Sequence, residues 1–303
     1  MAGLPPACYI ISRHPQERAD VPTIKVNGVE LYYKETGSGQ EAIVFSHGLL
    51  MDHAMFEAQR AAFDGRYRVI AYDHRGQGNS QVASGSAAAE RLDMDTLAED
   101  AAALIEALNA APCHFAGLSM GGFIGLRLAA RRRELVRTLT LMNTGADPEA
   151  ASSRLRYGLL ARLVGLVGTA PFTGIAVKEL FGRTARTSTD PGKRKMMDEW
   201  TEKLRTRPKS VAGALMGVMN RKGVPAEELA AIRCPTLIIA GEEDTAQPPF
   251  RGERMAAAIR NARLVRVPGC GHSSSLEQPE AVIEAMKELI QEQSAFSSRQ
   301  AAP

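Results

Sequence analysis

The chain has 303 residues, of which 45% are hydrophobic and 23% charged, enough for a large buried core in one domain or in one domain with an insertion. A formal net charge of +3 gives no bulk indication of binding to nucleic acid or to an anionic membrane. No apolar run approaches the roughly 18 residues that a transmembrane helix needs, and the amino terminus lacks the basic and apolar segments of a secretory signal.

The four cysteines, Cys8, Cys113, Cys234 and Cys270, are scattered along the chain and form no C-x-x-C pair. This spacing predicts free, mostly buried thiols and argues against a disulfide framework. Free thiols are typical of proteins in a reducing compartment. We therefore expect a cytoplasmic enzyme or binding protein.

The predicted elements begin with two β-rich runs, Thr23–Val26 and residues 29–35. They are separated by Asn27-Gly28, a pair that strongly predicts a tight hairpin. Buried-type strand patterns follow at residues 42–48, 68–76, 112–118, 135–143, 234–241 and 262–269. Between several of these runs the apolar residues recur at helical spacing, as in residues 95–110. This alternation predicts an α/β fold with a mostly parallel central sheet flanked by helices.

One long segment interrupts the alternation. Residues 147–228 contain helical patterns but no buried strand run, and their fifteen lysines and arginines against nine aspartates and glutamates give a net charge of +6. We expect a helical insertion that packs over the sheet as a cap. The predicted division is a flexible amino-terminal arm (1–22), a core (23–146 and 231–292), the cap (147–230) and a flexible tail (293–303).

Residues 117–122, GLSMGG, stand between a predicted strand and a predicted helix. The G-x-S-x-G pattern is typical of a nucleophile elbow, in which a serine has a strained backbone conformation above the edge of a sheet. Glycines two residues before and after Ser119 remove Cβ atoms that would clash, and the following helix directs amide groups toward charge that develops near the serine. The alternative is a plain tight turn between strand and helix.

A serine nucleophile needs a base, and the base needs an acid that orients it. Where this elbow occurs, acid and base follow the serine along the chain, at the ends of later strands. His272 is the only one of the six histidines after Ser119, and it follows the run 262–269. For the acid we favour Asp244, after the run 234–241, because its loop neighbours the strand that delivers His272. Other candidate acids are Glu242, Glu243 and Asp147.

Five segments together resemble a known family: SHGLL (46–50), YDHRGQGNS (72–80), GLSMGG (117–122), GEEDTAQPP (241–249) and GCGHSSSLEQP (269–279). They run in the order and spacing of the α/β-hydrolases that carry a helical cap, and the resemblance covers residues 24–292. It implies that Ser119 is the nucleophile, that His272 is the general base and later acid, and that Asp244 orients His272.

The same resemblance implies an oxyanion hole formed by the backbone N–H groups of Leu49 and Met120. His47 is then expected to order the oxyanion loop. Asp73, Arg75 and Gly76 are expected to fix the neighbouring turn. Apolar cap residues are candidates for lining a pocket, although such residues are more often core: Met196, Met197, Trp200, Met216 and Met219.

By this resemblance the protein is a serine hydrolase that cleaves a small-molecule carboxylic ester or lactone through an acyl-enzyme, with water as acceptor and without cofactor or metal. We expect no nucleic-acid partner and no stable membrane insertion, and a homodimer is left open. Alternatives within the fold are enol-lactone and carbon–carbon bond hydrolases of aromatic catabolism and cofactor-free haloperoxidases (perhydrolases).

Further interpretations are weaker. Serine at position 119 disfavours the dehalogenases and epoxide hydrolases, which use an aspartate nucleophile. Polar residues at 47, 52, 53, 73 and 74 include histidines and aspartates, but they lack the ligand spacing of a metal site. A non-catalytic ligand receptor is one further class, and a membrane-surface lipase, to which the cationic cap points, is another.

Overall fold

The computed structural model describes residues 22–80 and 92–300, with side chains up to residue 294. Cys8 and all but the last residue of the predicted amino-terminal arm lie outside the described residues, as do the last three residues of the predicted tail.

Within these described residues, eight strands form a single sheet in the order β1-β2-β4-β3-β5-β6-β7-β8. The first two strands and the β2–β4 pair are antiparallel, and every pair beyond them is parallel, which confirms the predicted architecture. The strands are β1 (Thr23–Val26), β2 (Val29–Thr36), β3 (Ala42–Ser46), β4 (Arg68–Tyr72), β5 (Cys113–Leu118), β6 (Val136–Met142), β7 (Thr236–Gly241) and β8 (Ala262–Val267).

The hairpin between β1 and β2 forms at the predicted pair. Val26 lies opposite Val29, so Asn27 and Gly28 make a two-residue loop. Both loop residues have positive φ, 46° and 77°, as a type I′ turn requires. Asparagine and glycine tolerate that conformation, which is why their sequence predicts the turn.

Helices cover both faces of the sheet and fill the insertion between β6 and β7. They are α1 (Glu57–Phe63), α2 (Met94–Ala107), α3 (Met120–Arg131), α4 (Ala151–Val167), α5 (Thr173–Leu180), α6 (Arg183–Arg186), α7 (Pro191–Arg205), α8 (Val211–Met219), α9 (Ala226–Ala231), α10 (Pro249–Ala258), α11 (Ser274–Glu277) and α12 (Pro279–Gln300). Short 3₁₀ turns span His53–Phe56, Arg133–Leu135 and Ala170–Phe172.

Two apolar clusters lie on opposite faces of the sheet. Along β3, Val44 faces the cluster that contains residues of α2 and α3, whereas Ile43 and Phe45 face the cluster with residues of α1 and α12. All three side chains are fully buried. Since successive strand residues point to opposite faces, an unbroken apolar run is what a strand covered on both faces needs.

The insertion contains α4 to α9 and no described strand, so the predicted helical cap is confirmed. The carboxyl end differs from expectation. Helix α12 continues to Gln300, so most of the stretch predicted as a flexible tail from residue 293 is helical.

Three of the four cysteines are described, and all three are free thiols as predicted. Cys113 and Cys270 are buried, and burial raises the pKa of the half-buried Cys234 thiol to about 11. No helix within residues 22–80 and 92–300 is both long and apolar enough to cross a membrane.

Candidate active site

Ser119 is the junction between β5 and α3. Its backbone has φ 53° and ψ −110°, a region that non-glycine residues rarely occupy. The Ser119 N–H donates to Met142 O at 2.8 Å, and the Thr144 hydroxyl donates to Ser119 O at 2.8 Å. These bonds to β6 and the loop after it hold the strained turn in place.

The glycines around Ser119 are required by backbone contacts. A Cβ on Gly117 would lie 2.2 Å from Gly121 O, and a Cβ on Gly121 would lie 2.0 Å from Ser46 O on β3. On Gly122 it would lie 2.5 Å from the Thr144 methyl carbon. The predicted close approach of residues 117 and 121 therefore exists. The neighbouring strand β3 also leaves no room for a side chain at position 121.

His272 and Asp244 form a buried pair after β8 and β7. His272 Nδ1 lies 2.9 Å from Asp244 Oδ2 and 3.0 Å from Oδ1. The backbone N–H groups of Ala246 and Gln247 donate to Asp244 Oδ1 at 2.9 and 2.8 Å. With Nδ1–H donated to the carboxylate, His272 has the tautomer that leaves Nε2 free to accept a proton.

The charge of Asp244 affects the pKa of His272. Burial lowers that pKa, but the adjacent carboxylate outweighs burial, so the pKa of His272 lies above its ordinary value. Ser119 and His272 both line one cavity. The structure thus brings all three predicted side chains to the carboxyl ends of the strands, where the parallel sheet places its loops.

The rival acids lie elsewhere. Asp147 pairs with Arg254 at the surface, and Glu242 is exposed. Glu243 accepts hydrogen bonds from the N–H and hydroxyl of Thr184, each at 2.7 Å, and so connects the β7 loop to the cap. In the structure the partner of His272 is Asp244.

Residues 47–52 follow β3 and pass beside the elbow. Leu49 lines the same cavity as Ser119, and Met120 is the first residue of α3. Within the described ranges no acceptor takes the amide hydrogen of Leu49 or Met120, whereas the Gly121 amide donates to His47 O at 3.1 Å. The two amides predicted for an oxyanion hole are therefore unoccupied by the protein's own groups.

His47 stabilises this loop. Its Nδ1 lies 2.7 Å from Gly48 O, and its Nε2 accepts from the His74 N–H at 3.0 Å. Complete burial lowers the pKa of His47 to about 4, so the ring is neutral at physiological pH. A neutral ring with both nitrogens engaged orders the loop, as expected.

The segment after β4 is fixed by Asp73 and Arg75. Asp73 accepts from the N–H groups of His53 and Asn79, at 2.7 and 2.8 Å, and Arg75 forms a buried ion pair with Asp100. Gly76 has a φ of 71°, which only glycine adopts without strain. In the part of the chain that the structure describes, no group of three or more histidines, cysteines and acidic residues is arranged to hold a metal ion.

The cavity beside Ser119 has a volume of about 370 Å³ and lies between the core and the cap. Its cap wall is largely apolar and comes mainly from α4, α5 and α8. Of the apolar cap residues considered from the sequence, Met219 lines it. Trp200 and Met216 instead pack with the hydrophobic clusters, as do Met196 and Met197.

This arrangement agrees with the comparison with known proteins, in which the family model of the alpha/beta hydrolase fold matches residues 41–279. The chain belongs to the α/β-hydrolase family. 3-Oxoadipate enol-lactonase 1 of Acinetobacter baylyi is 30% identical over 268 residues, which cover 88% of this chain and 92% of that relative.

Two solved structures extend this comparison. A thermophilic esterase from Thermogutta terrifontis, with malate bound, matches with a TM-score of 0.79 at 29% identity. The match covers 90% of this chain and 97% of the esterase chain. The enol-lactonase from Burkholderia xenovorans LB400 has a TM-score of 0.77 at 27% identity, with coverages of 89% and 100%.

Sequence reasoning missed two residues that hold Asp244 and the His272 loop in place in this α/β-hydrolase. Asn143 directly follows β6 and has a φ of 49°, and its Nδ2 donates to Asp244 Oδ2 at 3.0 Å and to Gly271 O at 2.9 Å. The sequence feature that could have identified Asn143 is its position at the carboxyl end of a central strand. No sequence feature identifies Glu277, because its partners are all backbone groups.

Glu277 holds the loop on both sides of His272. Its carboxylate accepts from the N–H groups of Gly271 and Gly182 at 2.9 Å and of Ser273 at 3.0 Å. Burial raises its pKa by more than these donors lower it. Because Gly182 belongs to the cap, this carboxylate also joins the histidine loop to the cap.

Proposed function

We propose that this protein is a serine hydrolase that cleaves a carboxylic ester or lactone through an acyl-enzyme intermediate. The observation that carries the proposal is the buried Asp244–His272 pair, whose histidine lines the same cavity as a serine held at a strained strand-to-helix junction. Binding alone requires neither the strained junction nor the orienting carboxylate.

In the proposed reaction His272 Nε2 accepts the hydroxyl proton of Ser119 as Oγ attacks the carbonyl carbon. The proton then passes to the leaving oxygen as the carbon–oxygen bond breaks, which leaves an acyl group on Ser119. Water repeats the sequence in the second half-reaction, and His272 returns the proton to Ser119. Asp244 stabilises the imidazolium that forms in both halves.

The amides of Leu49 and Met120 are the proposed donors to the oxyanion of each tetrahedral intermediate. Their lack of acceptors within the described chain and their place beside Ser119 support this assignment. One such donor typically contributes about 3–4 kcal/mol of transition-state stabilisation.

The apolar cap wall supports a substrate with a hydrophobic acyl or alcohol part. A lactone is the second candidate for the scissile bond, favoured because two similar proteins are named enol-lactonases. The free thiols of the described cysteines support a cytoplasmic location.

A fluorophosphonate probe tests the proposal, since it labels a serine only when base and oxyanion donors activate it. We expect stoichiometric labelling of the wild-type protein at Ser119 and none of a folded Ser119→Ala variant. If folded wild-type protein does not react with the probe, the proposal that it is a serine hydrolase is refuted.

The substrate class requires a separate measurement. We propose a panel of p-nitrophenyl esters of increasing chain length together with enol-lactones and ring-cleavage products. The highest kcat/KM on esters supports a carboxylesterase, and the highest on enol-lactones supports the lactonase alternative.

A further inference from the structure

The loop that carries Leu49 contains a strained turn. The Met51 N–H donates to Gly48 O at 3.1 Å, which closes a four-residue turn over residues 48–51. Leu50, the third residue of this turn, has a φ of 65°, the type II pattern that normally calls for glycine. A bulky side chain in that region is an outlier, so surrounding contacts must impose the conformation.

Both backbone polar groups of Leu50 are held by side chains from elsewhere. Its N–H donates to Gln77 Oε1 at 3.1 Å, and its carbonyl accepts from Arg207 Nε at 2.7 Å. Gln77 is buried and also places its amide nitrogen 3.7 Å from the sulfur of Met120. The turn is therefore fixed from the core on one side and from Arg207 on the other.

Arg207 belongs to the cap, directly after α7. Its Nη2 donates to Asp52 Oδ2 at 2.8 Å, and Lys203 Nζ on α7 donates to both oxygens of that carboxylate at 3.2 Å. Burial raises the pKa of Asp52, but the two cations lower it more, to about 2. Asp52 also accepts from the Ala54 N–H at 3.0 Å and so anchors the end of the loop.

We propose that Arg207 is a positioning residue for the reaction. From the cap it holds the 48–51 turn in its strained conformation and so keeps the Leu49 amide beside Ser119, which makes oxyanion binding depend on contact between the cap and the core. This inference rests on the proposed function, because it assigns to the Leu49 amide a role in stabilising the tetrahedral intermediate.

Arginine is suited to this position because its planar guanidinium serves two acceptors at once, the Leu50 carbonyl and the Asp52 carboxylate. A lysine would keep the charge opposite Asp52 but offer one compact ammonium group. The neighbouring Arg205 is a matched control, since it is exposed and pairs with Glu202 on the same helix.

The test compares Arg207→Met, Arg207→Lys and Arg205→Met in the full chain with p-nitrophenyl butyrate as substrate. For Arg207→Met we expect kcat to fall about 10–100-fold, less than the full loss of one oxyanion donor, while KM changes by less than about 3-fold. Arg207→Lys is expected to have an intermediate kcat, and Arg205→Met to stay within about 2-fold of wild type. The second-order rate constant for fluorophosphonate labelling is expected to follow kcat.

Circular dichroism shows which variants are folded, and Arg207→Lys carries the test if Arg207→Met does not fold. Wild-type kcat and labelling rate in a folded Arg207 variant would overturn the proposal while leaving the serine hydrolase intact. A loss confined to KM would also overturn it, because that loss indicates substrate binding by the cap. If the wild-type protein itself is not labelled at Ser119, the proposed function fails and this inference fails with it.

Discussion

The side chain of Asn143 offers the sharpest prediction about the site, because another asparagine in the chain serves as its control. Asn143 and Asn109 share the same positive φ, 49°. The Asn143 amide is buried and donates to Asp244 Oδ2 and Gly271 O, whereas Asn109 is exposed and its side chain makes no hydrogen bond to any described residue. Both substitutions therefore place alanine at a positive φ, but only Asn143→Ala also removes side-chain hydrogen bonds.

The magnitudes follow from these contacts. A hydrogen bond to a charged group contributes about 1.5–3 kcal/mol and a neutral one about 0.5–1.5 kcal/mol. Alanine in the left-handed region costs about 1–2 kcal/mol at either position. Asn143→Ala is thus expected to lower the free energy of unfolding by about 2–4.5 kcal/mol more than Asn109→Ala does.

Urea unfolding of the two variants gives this difference, and kcat reports whether the proposed acid–base pair, Asp244 and His272, remains oriented. We expect kcat to fall at least about tenfold in Asn143→Ala and to be unchanged in Asn109→Ala. Equal stability losses in the two variants, within about 0.5 kcal/mol, would refute the reasoning, because the hydrogen bonds of Asn143 would then contribute nothing.

Three more predictions concern the same region. In the proposed reaction neutral His272 is the base; burial lowers its pKa, but the Asp244 carboxylate raises it to above the ordinary histidine value. We therefore expect kcat/KM to fall on acidification with a midpoint above that ordinary value, and Asp244→Asn to shift the midpoint to lower pH. A midpoint that does not move would contradict the pairing. The same raised pKa means that His272 contributes stability at low pH that is lost as pH rises through its folded pKa. Gly121→Ala places a Cβ against Ser46 O, so it should lower the free energy of unfolding in urea by about 3 kcal/mol. The control is Gly158→Ala on α4, which has open space around it and should raise the free energy of unfolding by about 0.5–1 kcal/mol. Equal effects would argue against the close approach at Gly121. Glu277→Gln leaves one carbonyl oxygen for three amides, so unfolding free energy should drop by about 1–3 kcal/mol for each amide left unsatisfied, and wild-type stability would contradict this role.

The sequence predicts the sheet well because the signals for it are local. The Asn27-Gly28 turn and the unbroken apolar runs reflect backbone preference and burial on both faces, and every predicted strand exists. Strand ends are less predictable. The run 68–76 ends as a strand at Tyr72, because Asp73 turns its carboxylate toward the amides of His53 and Asn79.

The residues of the candidate site likewise divide into those that the sequence predicts and those that it does not. Ser119, Asp244 and His272 are predictable because each follows a recognisable strand and has neighbours of characteristic type. Arg207 is not, since the carbonyl it binds lies 157 positions away in the chain and any residue could supply that carbonyl. Contacts to backbone groups leave no pattern in the side chains, so the residues that hold the site in place required the structure.

The central claim is that Ser119 carries the acyl group during hydrolysis. Rapid acid quench of the protein with a p-nitrophenyl ester, followed by intact-mass and peptide mass spectrometry, measures this directly. We predict a mass increase equal to the acyl group, located on the peptide that contains Ser119 and absent from Ser119→Ala. Rapid ester hydrolysis by a folded Ser119→Ala variant, or an acyl group on another residue, would contradict the account.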